Sequence, residues 1–435
     1  MLKEKLIIGL GVTGLSCADF YHKKNIPFKI FDTRSKSFHT KKNNDTRLEG
    51  YSIVYEKYDS DYLDNVEQVI ISPGLDRSNV IFREIKKRNI SISTDIDIFK
   101  EYSNTPIISI TGTNGKTTVV TMLEHVLKSM RLKSVACGNN GIPPLSIIDQ
   151  KYDFIILELS SYQLEYMNNF TSYIGLITNI DYDHIERHKS MSDYFNIKLK
   201  IFGNVKHSLI NNKLCSQLNL NDIRSFGLTE YSKIQINGAI KNDLSYSENK
   251  LSYKDQVLNF KGLHNLENIL SVLSVTNILH LNFLEVFKYI KNFHYLPHRI
   301  ELIKSYNNIN WYNDSKSTNC ASTLAALQYV DEKIILILGG SHKNMNYIAL
   351  KDMLLRKVKL IIFIGENKNY IKEQLDIKIK TIEAQNMKDV VEIAKNNVIP
   401  YDNVLLSPAS PSFDMFDNYV DRGNAFKKAV NDFVK

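Results

Sequence analysis

The sequence is poor in cysteine, has no long apolar run and carries no block of like charge. Its four cysteines, Cys17, Cys137, Cys215 and Cys320, stand at spacings that suit neither a disulfide framework nor a metal site. That scatter fits a reducing compartment and predicts a cytoplasmic protein. No stretch approaches the ~20 consecutive apolar residues of a membrane span, so no membrane crossing is expected. The opening MLKEKLIIGLG has a lysine-flanked apolar start. It runs into a glycine-patterned turn instead of a small-residue cleavage site, and reads as a first β-strand. The net charge is +8, but the lysines are interleaved with Asn, Asp and Glu along the whole length. Without a basic stripe, no nucleic-acid partner is expected. A small phosphorylated substrate needs only a local positive field. Internal repeats and low-complexity tails are absent too, and polar stretches such as HTKKNNDTR (39–47) read as surface loops.

What is present is the alternation of an α/β protein. With 435 residues, 43% of them apolar, the chain has length for about three domains. Apolar strands alternate with helical patterns in three blocks. KLIIGLG, PFKIFD, YSIVYE and QVIISPG belong to the first. PIISITG, YDFIILELSS and YIGLITNID belong to the second, and EKIILILGG, VKLIIFIGE, IKTIEA and NVLLSPAS to the third. The expected domains are 1–94, 95–297 and 298–435. Nearly every strand stops at glycine or a polar cluster, which is where such sheets collect functional groups.

SITGTNGKTT (109–118) resembles a phosphate loop with a piece missing. The pattern G-x-x-x-x-G-K-[ST] wants glycine at position 110, and Ile110 stands there. Gly112 and Gly115 in a strand-to-helix turn nevertheless suffice to turn consecutive N–H groups toward an anion at the helix N-terminus. Lys116 then reaches the β/γ-phosphates and the Thr117 hydroxyl suits Mg²⁺. An ordinary glycine turn with a chance lysine is the bland alternative. Strand, two glycines, Lys-Thr-Thr and helix together favour a shortened triphosphate site.

GLGVTG (9–14) matches G-x-G-x-x-G after a strand, and Asp32 ends the next strand at the offset of a ribose-binding acid. Alone, this pattern describes an NAD-dependent oxidoreductase. A Rossmann-like turn binds any pyrophosphate, however, UDP included, and a second nucleotide loop in the chain favours a substrate domain. Glu158, at the end of FIILE, is placed like the strand-end acid that reaches a phosphate-loop Mg²⁺. Chemistry leaves His184 undecided, since magnesium prefers oxygen ligands and a lone histidine is more often structural. Lys198 in NIKLKIF reads equally well as a surface lysine. NDSKSTN (313–319), Lys343 in LGGSHK and the serines of LSPASPS suit carboxylate and phosphate binding, or simple helix capping.

ITGTNGKTT, ELSSYQLE, TNIDYDH, GLHNLEN, LPHRIE, NDSKSTN and LILGG together resemble the Mur ligase family, in that family's order and over most of the chain. The family's loop is G-T-N-G-K-[ST], so the missing glycine is a signature. GLGVTGLSC, FDTR and SPG, with LSPASPSFDMFDNYVDRG near the C-terminus, are similar to the family's D-glutamate-adding branch. The resemblance implies three α/β domains: a Rossmann-like N-terminal domain, a central P-loop ATPase-type domain and a Rossmann-like C-terminal domain. It implies ATP-dependent amide formation on the route to peptidoglycan, with UDP-N-acetylmuramoyl-L-alanine and D-glutamate as partners and a monomeric enzyme.

Position by position, the resemblance implies that Gly112, Thr113, Asn114, Gly115, Lys116, Thr117 and Thr118 cradle ATP, with Asn139, Asn268, Arg299 and Asp314 as further contacts. Thr117 and Glu158 would hold one Mg²⁺. Glu158, His184 and Lys198 would hold a second, with Lys198 carrying a CO₂-derived carbamate and Mn²⁺ able to substitute. Lys116, His184 and Lys198 are the implied catalytic group. Thr13, Leu15, Asp32, Thr33, Arg34, Ser72 and Gly74 would bind the UDP-sugar, and Lys316, Thr318, Lys343, Ser412 and Tyr419 the D-glutamate. Family members often carry Phe where Tyr419 stands, and the Asn139-Asn140 pair and the GGSHK turn are further departures. Two rivals are weighed. An L-alanine-adding member would differ in the first block. An oxidoreductase would use GLGVTG and Asp32 but leave GTNGKTT idle.

Overall fold

The computed structural model describes every residue except 1–2, 36–52, 58, 78, 169, 218–222, 230–232, 248, 261, 295, 343–344 and 435. Two expectations therefore lie outside the described residues, the loop at 39–47 and Lys343.

β1 (Glu4–Ile8), β2 (Phe28–Asp32), β3 (Ile53–Tyr55), β4 (Val66–Ile71) and β5 (Ser91–Ser93) form a parallel sheet in the order β3-β2-β1-β4-β5. The order reverses direction beside β1, which opens a crevice at the carboxyl ends of the strands. GLGVTG sits there and leads into helix Val12–Lys23. Its glycines are there for closeness. A Cβ on Gly14 would lie 1.8 Å from the Gly9 carbonyl oxygen, and one on Gly9 (φ +96°) would lie 2.7 Å from Ser72 Oγ.

The second sheet contains β6 (Ile107–Thr111), β7 (Ser134–Gly138), β8 (Phe154–Glu158), β9 (Ser172–Ile177), β10 (Val205–Asn211), β11 (Ile223–Leu228), β12 (Ile234–Ile236) and β13 (Ala239–Ile240), in the order β13-β12-β11-β10-β9-β6-β8-β7. β6 is central and all five of its residues are buried, as a strand covered on both faces requires. β14 (Leu244–Ser247), β15 (Lys250–Tyr253) and β16 (Gln256–Asn259) make a small antiparallel sheet beside it. The last sheet has the order β17-β18-β22-β19-β20-β21, from β17 (Glu301–Tyr306), β18 (Ile309–Asn313), β19 (Ile334–Leu338), β20 (Val358–Phe363), β21 (Lys380–Glu383) and β22 (Asn403–Leu406). Only β17 pairs antiparallel in it.

Every strand named from the sequence is present. The sequence reading passed over β5, β7, β10 to β16, β17 and β18. β5 is three residues long, and β14 to β16 are short and polar on alternate positions, so each resembles loop when read alone. Neighbouring strands supply what their own apolar content does not.

The cores show which parts move together. One apolar cluster joins Leu15, Phe20 and Phe99 to Ile107, Leu145 and Ile155, so the first two sheets share packing across the connection near Asn104. The clusters on the two faces of the last sheet contain no residue before Ile300. That division leaves the segment around Arg299 as the place where a rigid-body rotation would cost least.

Candidate active site

β6 ends at Thr111, and the chain then turns through Gly112 (φ +153°) and Gly115 (φ +81°) into helix Lys116–Ser129. A Cβ on Gly112 would fall 1.9 Å from Thr178 Oγ1, and one on Gly115 2.4 Å from Asn268 Oδ1. Both positions need glycine for space as well as for dihedral angle. Asn268, from helix Leu263–Ile278, thus lies directly over the loop.

The end of β9 holds the other side. Asn114 N–H donates to Asn179 Oδ1 (2.8 Å), Thr113 N–H to the Asn179 carbonyl (3.0 Å), and Thr178 Oγ1 to the Asn114 carbonyl (2.8 Å). Thr178 and Asn179 were missed in the sequence, although TNIDYDH was noticed for its histidine. Thr117 and Thr118 occupy the first helical turn, with Thr118 buried.

Two lysines converge on this turn. Lys116 Nζ donates to the carbonyls of Gly112 (2.7 Å) and Thr113 (2.9 Å), and Lys198 Nζ to the same Gly112 carbonyl (2.9 Å). Lys198 is 1% exposed and sits 4.7 Å from the Tyr194 ring centroid, so it is no surface lysine. Burial first, and the Lys116 charge second, push its amine well below the usual lysine range against the pull of Asp183. Tyr194 also hydrogen-bonds Thr113 Oγ1 at 3.0 Å and is a further residue that sequence reasoning missed.

Glu158 closes β8 and is 1% exposed. Its Oε1 accepts from Asn139 Nδ2 at 2.8 Å, while Oε2 is buried with no hydrogen-bond partner among the described residues. A carboxylate oxygen left so is costly unless a cation answers it. His184, in the left-handed region at φ +56°, places Nδ1 3.0 Å from the Tyr162 hydroxyl and Nε2 3.5 Å from Asp183 Oδ2.

The last domain adds two more cations. Burial lowers Arg299, with the charges of Glu158, Tyr419 and Asp314 opposing. Lys316 Nζ lies 3.8 Å from the Tyr419 ring centroid. Burial, then the charge of Arg299, push it down to about 8 against the pull of Glu158. Lys116, Arg299 and Lys316 therefore all feel the one carboxylate of Glu158. Two hydrogen bonds tie this domain to the middle one, Ser322 Oγ to Asn114 Oδ1 of the loop (2.7 Å) and Asn319 Nδ2 to Asp183 Oδ2 after β9 (3.0 Å).

Asp314 looks inward. It is 3% exposed and accepts from the hydroxyls of Ser317 and Ser407 and from Ile300 N–H, and burial raises it to about 7. Thr318 is half-buried nearby, and Ser412 is buried with its carbonyl accepting from Phe416 N–H at 2.8 Å. A residue not singled out in the sequence organises the whole region. Arg422, 2% exposed, donates to Ser315 Oγ, to the Ser315 carbonyl and to the carbonyls of Ser410 and Pro411.

At the first sheet, Thr13, Leu15, Thr33, Arg34, Ser72 and Gly74 gather at the ends of β1, β2 and β4. Thr33 is exposed, and a Cβ on Gly74 would meet nothing within 4 Å. Asp32 is fully buried and already engaged. It accepts from Leu10 N–H (2.6 Å), Arg34 N–H (2.8 Å) and both ends of the Arg34 guanidinium. Burial alone would raise its pKa, but these bonds hold it at about 2. A carboxyl lowered from the unfolded value of about 3.8 stabilises the fold above that value. The contribution is lost as pH falls from about 4 to 2. Urea unfolding of Asp32→Asn against wild type should show a difference of about 1–2 kcal/mol at pH 7, discounted for the partly exposed Arg34. That difference should vanish by about pH 2. A gap that persists at low pH would show that Asp32 acts by packing alone.

The family model for the Mur ligase MurD-like N-terminal domain matches residues 3–94, the Mur ligase middle domain 110–276, and the Mur ligase glutamate ligase domain 298–410. A UDP-N-acetylmuramoylalanine--D-glutamate ligase of Buchnera aphidicola subsp. Baizongia pistaciae is 35% identical over 99% of this chain and 98% of its own length. A ligase of the same name from Coxiella burnetii (strain Dugway 5J108-111) is 32% identical over 98% of each. Among solved structures, the UDP-N-acetylmuramate-alanine ligase of Thermotoga maritima superposes with a TM-score of 0.62 at 17% identity, covering 99% of this chain and all of that one. The structural likeness supports the fold alone, whereas the sequence relatives match this chain over nearly its full length. The chain belongs to the Mur ligase family.

Proposed function

We propose that the protein joins D-glutamate to UDP-N-acetylmuramoyl-L-alanine at the expense of ATP, as a monomer in the cytoplasm. The observation that supports this most is the convergence of Lys116, Arg299 and Lys316 on buried Glu158 at the mouth of a phosphate loop. Such a field suits a triphosphate and a carboxylate brought together. An oxidoreductase reading finds no support, since Asp32 is spent on Leu10 and Arg34.

In this reading the Gly112–Thr118 amides and Asn268 cradle ATP, with Asn139, Arg299 and Asp314 around it. Thr13, Leu15, Thr33, Arg34, Ser72 and Gly74 take the UDP-sugar. Asp32 acts by fixing Arg34. Lys316, Thr318, Ser412 and Tyr419 take D-glutamate, and Lys343 completes that set. The donor set fits Mg²⁺, or Mn²⁺ in its place, because Glu158 presents a buried oxygen without a hydrogen-bond partner among the described residues. Thr117 and Glu158 would hold one ion, and Glu158, His184 and Lys198 a second. Burial lowers the Lys198 amine's pKa, which favours the neutral form that adds CO₂, and the carbamate would make Lys198 an oxygen ligand. Bound there, the ions would neutralise charge on the transferring phosphoryl group.

The L-alanyl carboxylate oxygen attacks the γ-phosphorus, and ADP leaves. Lys116 supports the charge that builds on the phosphoryl oxygens. The neutral amine of D-glutamate then attacks the acyl carbon. The tetrahedral intermediate expels inorganic phosphate, and the amide nitrogen loses its proton. Closure of the last domain, through contacts such as Ser322 to Asn114, keeps water from the acyl phosphate.

The test is phosphate release from ATP with UDP-N-acetylmuramoyl-L-alanine and D-glutamate, L-glutamate or L-alanine, at adequate Mg²⁺ and bicarbonate. Release with D-glutamate alone, matched by amide product, is the expected result. Release with UDP-N-acetylmuramate and L-alanine would move the protein to another branch of the family.

A further inference from the structure

Helix Ser161–Tyr166 begins three residues after Glu158, capped by Ser160 and Gln163. Its second residue, Tyr162, turns its hydroxyl to within 3.0 Å of His184 Nδ1, with the two ring centroids 5.0 Å apart and tilted by 55°. The opposite edge of the imidazole, Nε2, lies 3.5 Å from Asp183 Oδ2.

Tyr162 is itself braced. The Arg187 guanidinium lies 5.4 Å from its ring centroid, and Glu165 holds that guanidinium through two 3.0 Å bonds. The His188 ring centroid is 5.6 Å away, and that ring is fixed by Ser161 Oγ at 2.9 Å and by stacking on Tyr194. A post anchored on two sides keeps its hydroxyl in one place. The hydroxyl also has a property that a carboxylate or an amide N–H lacks. It both donates and accepts, so it remains bonded to Nδ1 whichever ring nitrogen carries the proton.

We propose that Tyr162 is a positioning residue for His184, holding the imidazole so that Nε2 is presented on the Asp183 side in both tautomers. The proposal rests on the reading of His184 as a metal ligand. A histidine that ligates through one nitrogen needs the other fixed by a hydrogen bond, and losing such an outer partner typically weakens metal affinity about 10–100-fold. Tyr162 would serve that purpose here, four residues along the same strand-to-helix junction from Glu158, the other implied ligand.

The experiment is Mn²⁺ titration of the whole protein, with the unbound ion counted by electron paramagnetic resonance, for wild type and Tyr162→Phe. The variant keeps the ring and loses only the hydroxyl. Its dissociation constant should rise about 10–100-fold. ¹⁵N spectra of histidine-labelled protein supply a readout that packing would not move. Wild-type His184 should show a single tautomer without metal and shift its proton to Nδ1 on adding Mg²⁺. In the variant the His184 Nδ1 resonance should move to that of a ring nitrogen without a hydrogen bond, with His188 unchanged as the sign of an intact fold. Equal Mn²⁺ affinity in the two proteins, or an unmoved His184 Nδ1 resonance in the variant, overturns the proposal. If wild type takes up no Mn²⁺ at all, the metal reading fails first and the proposal fails with it. If Mn²⁺ binds but His184 does not respond, the metal reading survives without histidine and the proposal is overturned.

Discussion

Lys116→Ala should lower kcat by about 10³-fold or more while leaving the protein folded. The Lys116 ammonium is the one cation that belongs to the phosphate loop itself, bonded to the carbonyls of Gly112 and Thr113. Burial lowers its pKa, and Glu158 and Asp183 oppose that shift. A charge in this position matters most when the γ-phosphoryl group is in flight. Its partners are then fixed, and removing one preorganised donor costs about 10²–10³-fold. A cation on a transferring phosphoryl is worth about 10³–10⁵. Arg299 and Lys316 do not replace it, since both come from the last domain and neither belongs to the loop. Steady-state phosphate release would measure the loss, and circular dichroism would check the fold. A kcat within tenfold of wild type would refute the assignment of the loop lysine. A rise in KM with kcat unchanged would make Lys116 a binding residue only.

Arg422→Met should cost the last domain about 3 kcal/mol or more. The guanidinium is 2% exposed and has no carboxylate hydrogen-bond partner among the described residues. It donates instead to one hydroxyl and three carbonyls, drawn from the turn after β18 and the segment after β22. Burial lowers its pKa to about 10, with Asp414 and Asp314 opposing. Methionine fills similar volume but leaves those acceptors buried and unmet, at about 1–3 kcal/mol for each group so stranded. Trp311 is the chain's single tryptophan, 1% exposed in the core of this same domain, 6.4 Å between centroids from Phe426. Its fluorescence reports on the domain concerned. The urea midpoint seen by Trp311 should fall by about 1–3 M with an unchanged slope. An unchanged midpoint would mean that water replaces the guanidinium and that the two segments hold without it.

The phosphate loop was legible because it is local. Its two glycines, lysine and threonines lie within seven residues between an apolar strand and a helix, and that order alone fixes where the amides point. Asp32 was legible as a strand-end acid and Asp314 only through the resemblance, but the partners of neither were. Leu10 is 22 residues from Asp32, and Ser407 is 93 residues from Asp314. Both carboxyls turn out to be absorbed by the protein's own donors. Sequence spacing does not report that.

By itself the sequence determined about half of the strands, with some in each of three sheets, the phosphate loop and the family, because each is written in short contiguous runs of residues. The tertiary structure decided the rest. It buried Lys198, which reads as a surface lysine, against the Gly112 carbonyl. It left one oxygen of Glu158 unanswered, and it carried Arg299 and Lys316 across from the last domain. It also braced His184 with Tyr162 and clamped two segments with Arg422. Desolvation and charge convergence depend on which distant residues are brought within a few ångströms, and only the packing of the sheets specifies that.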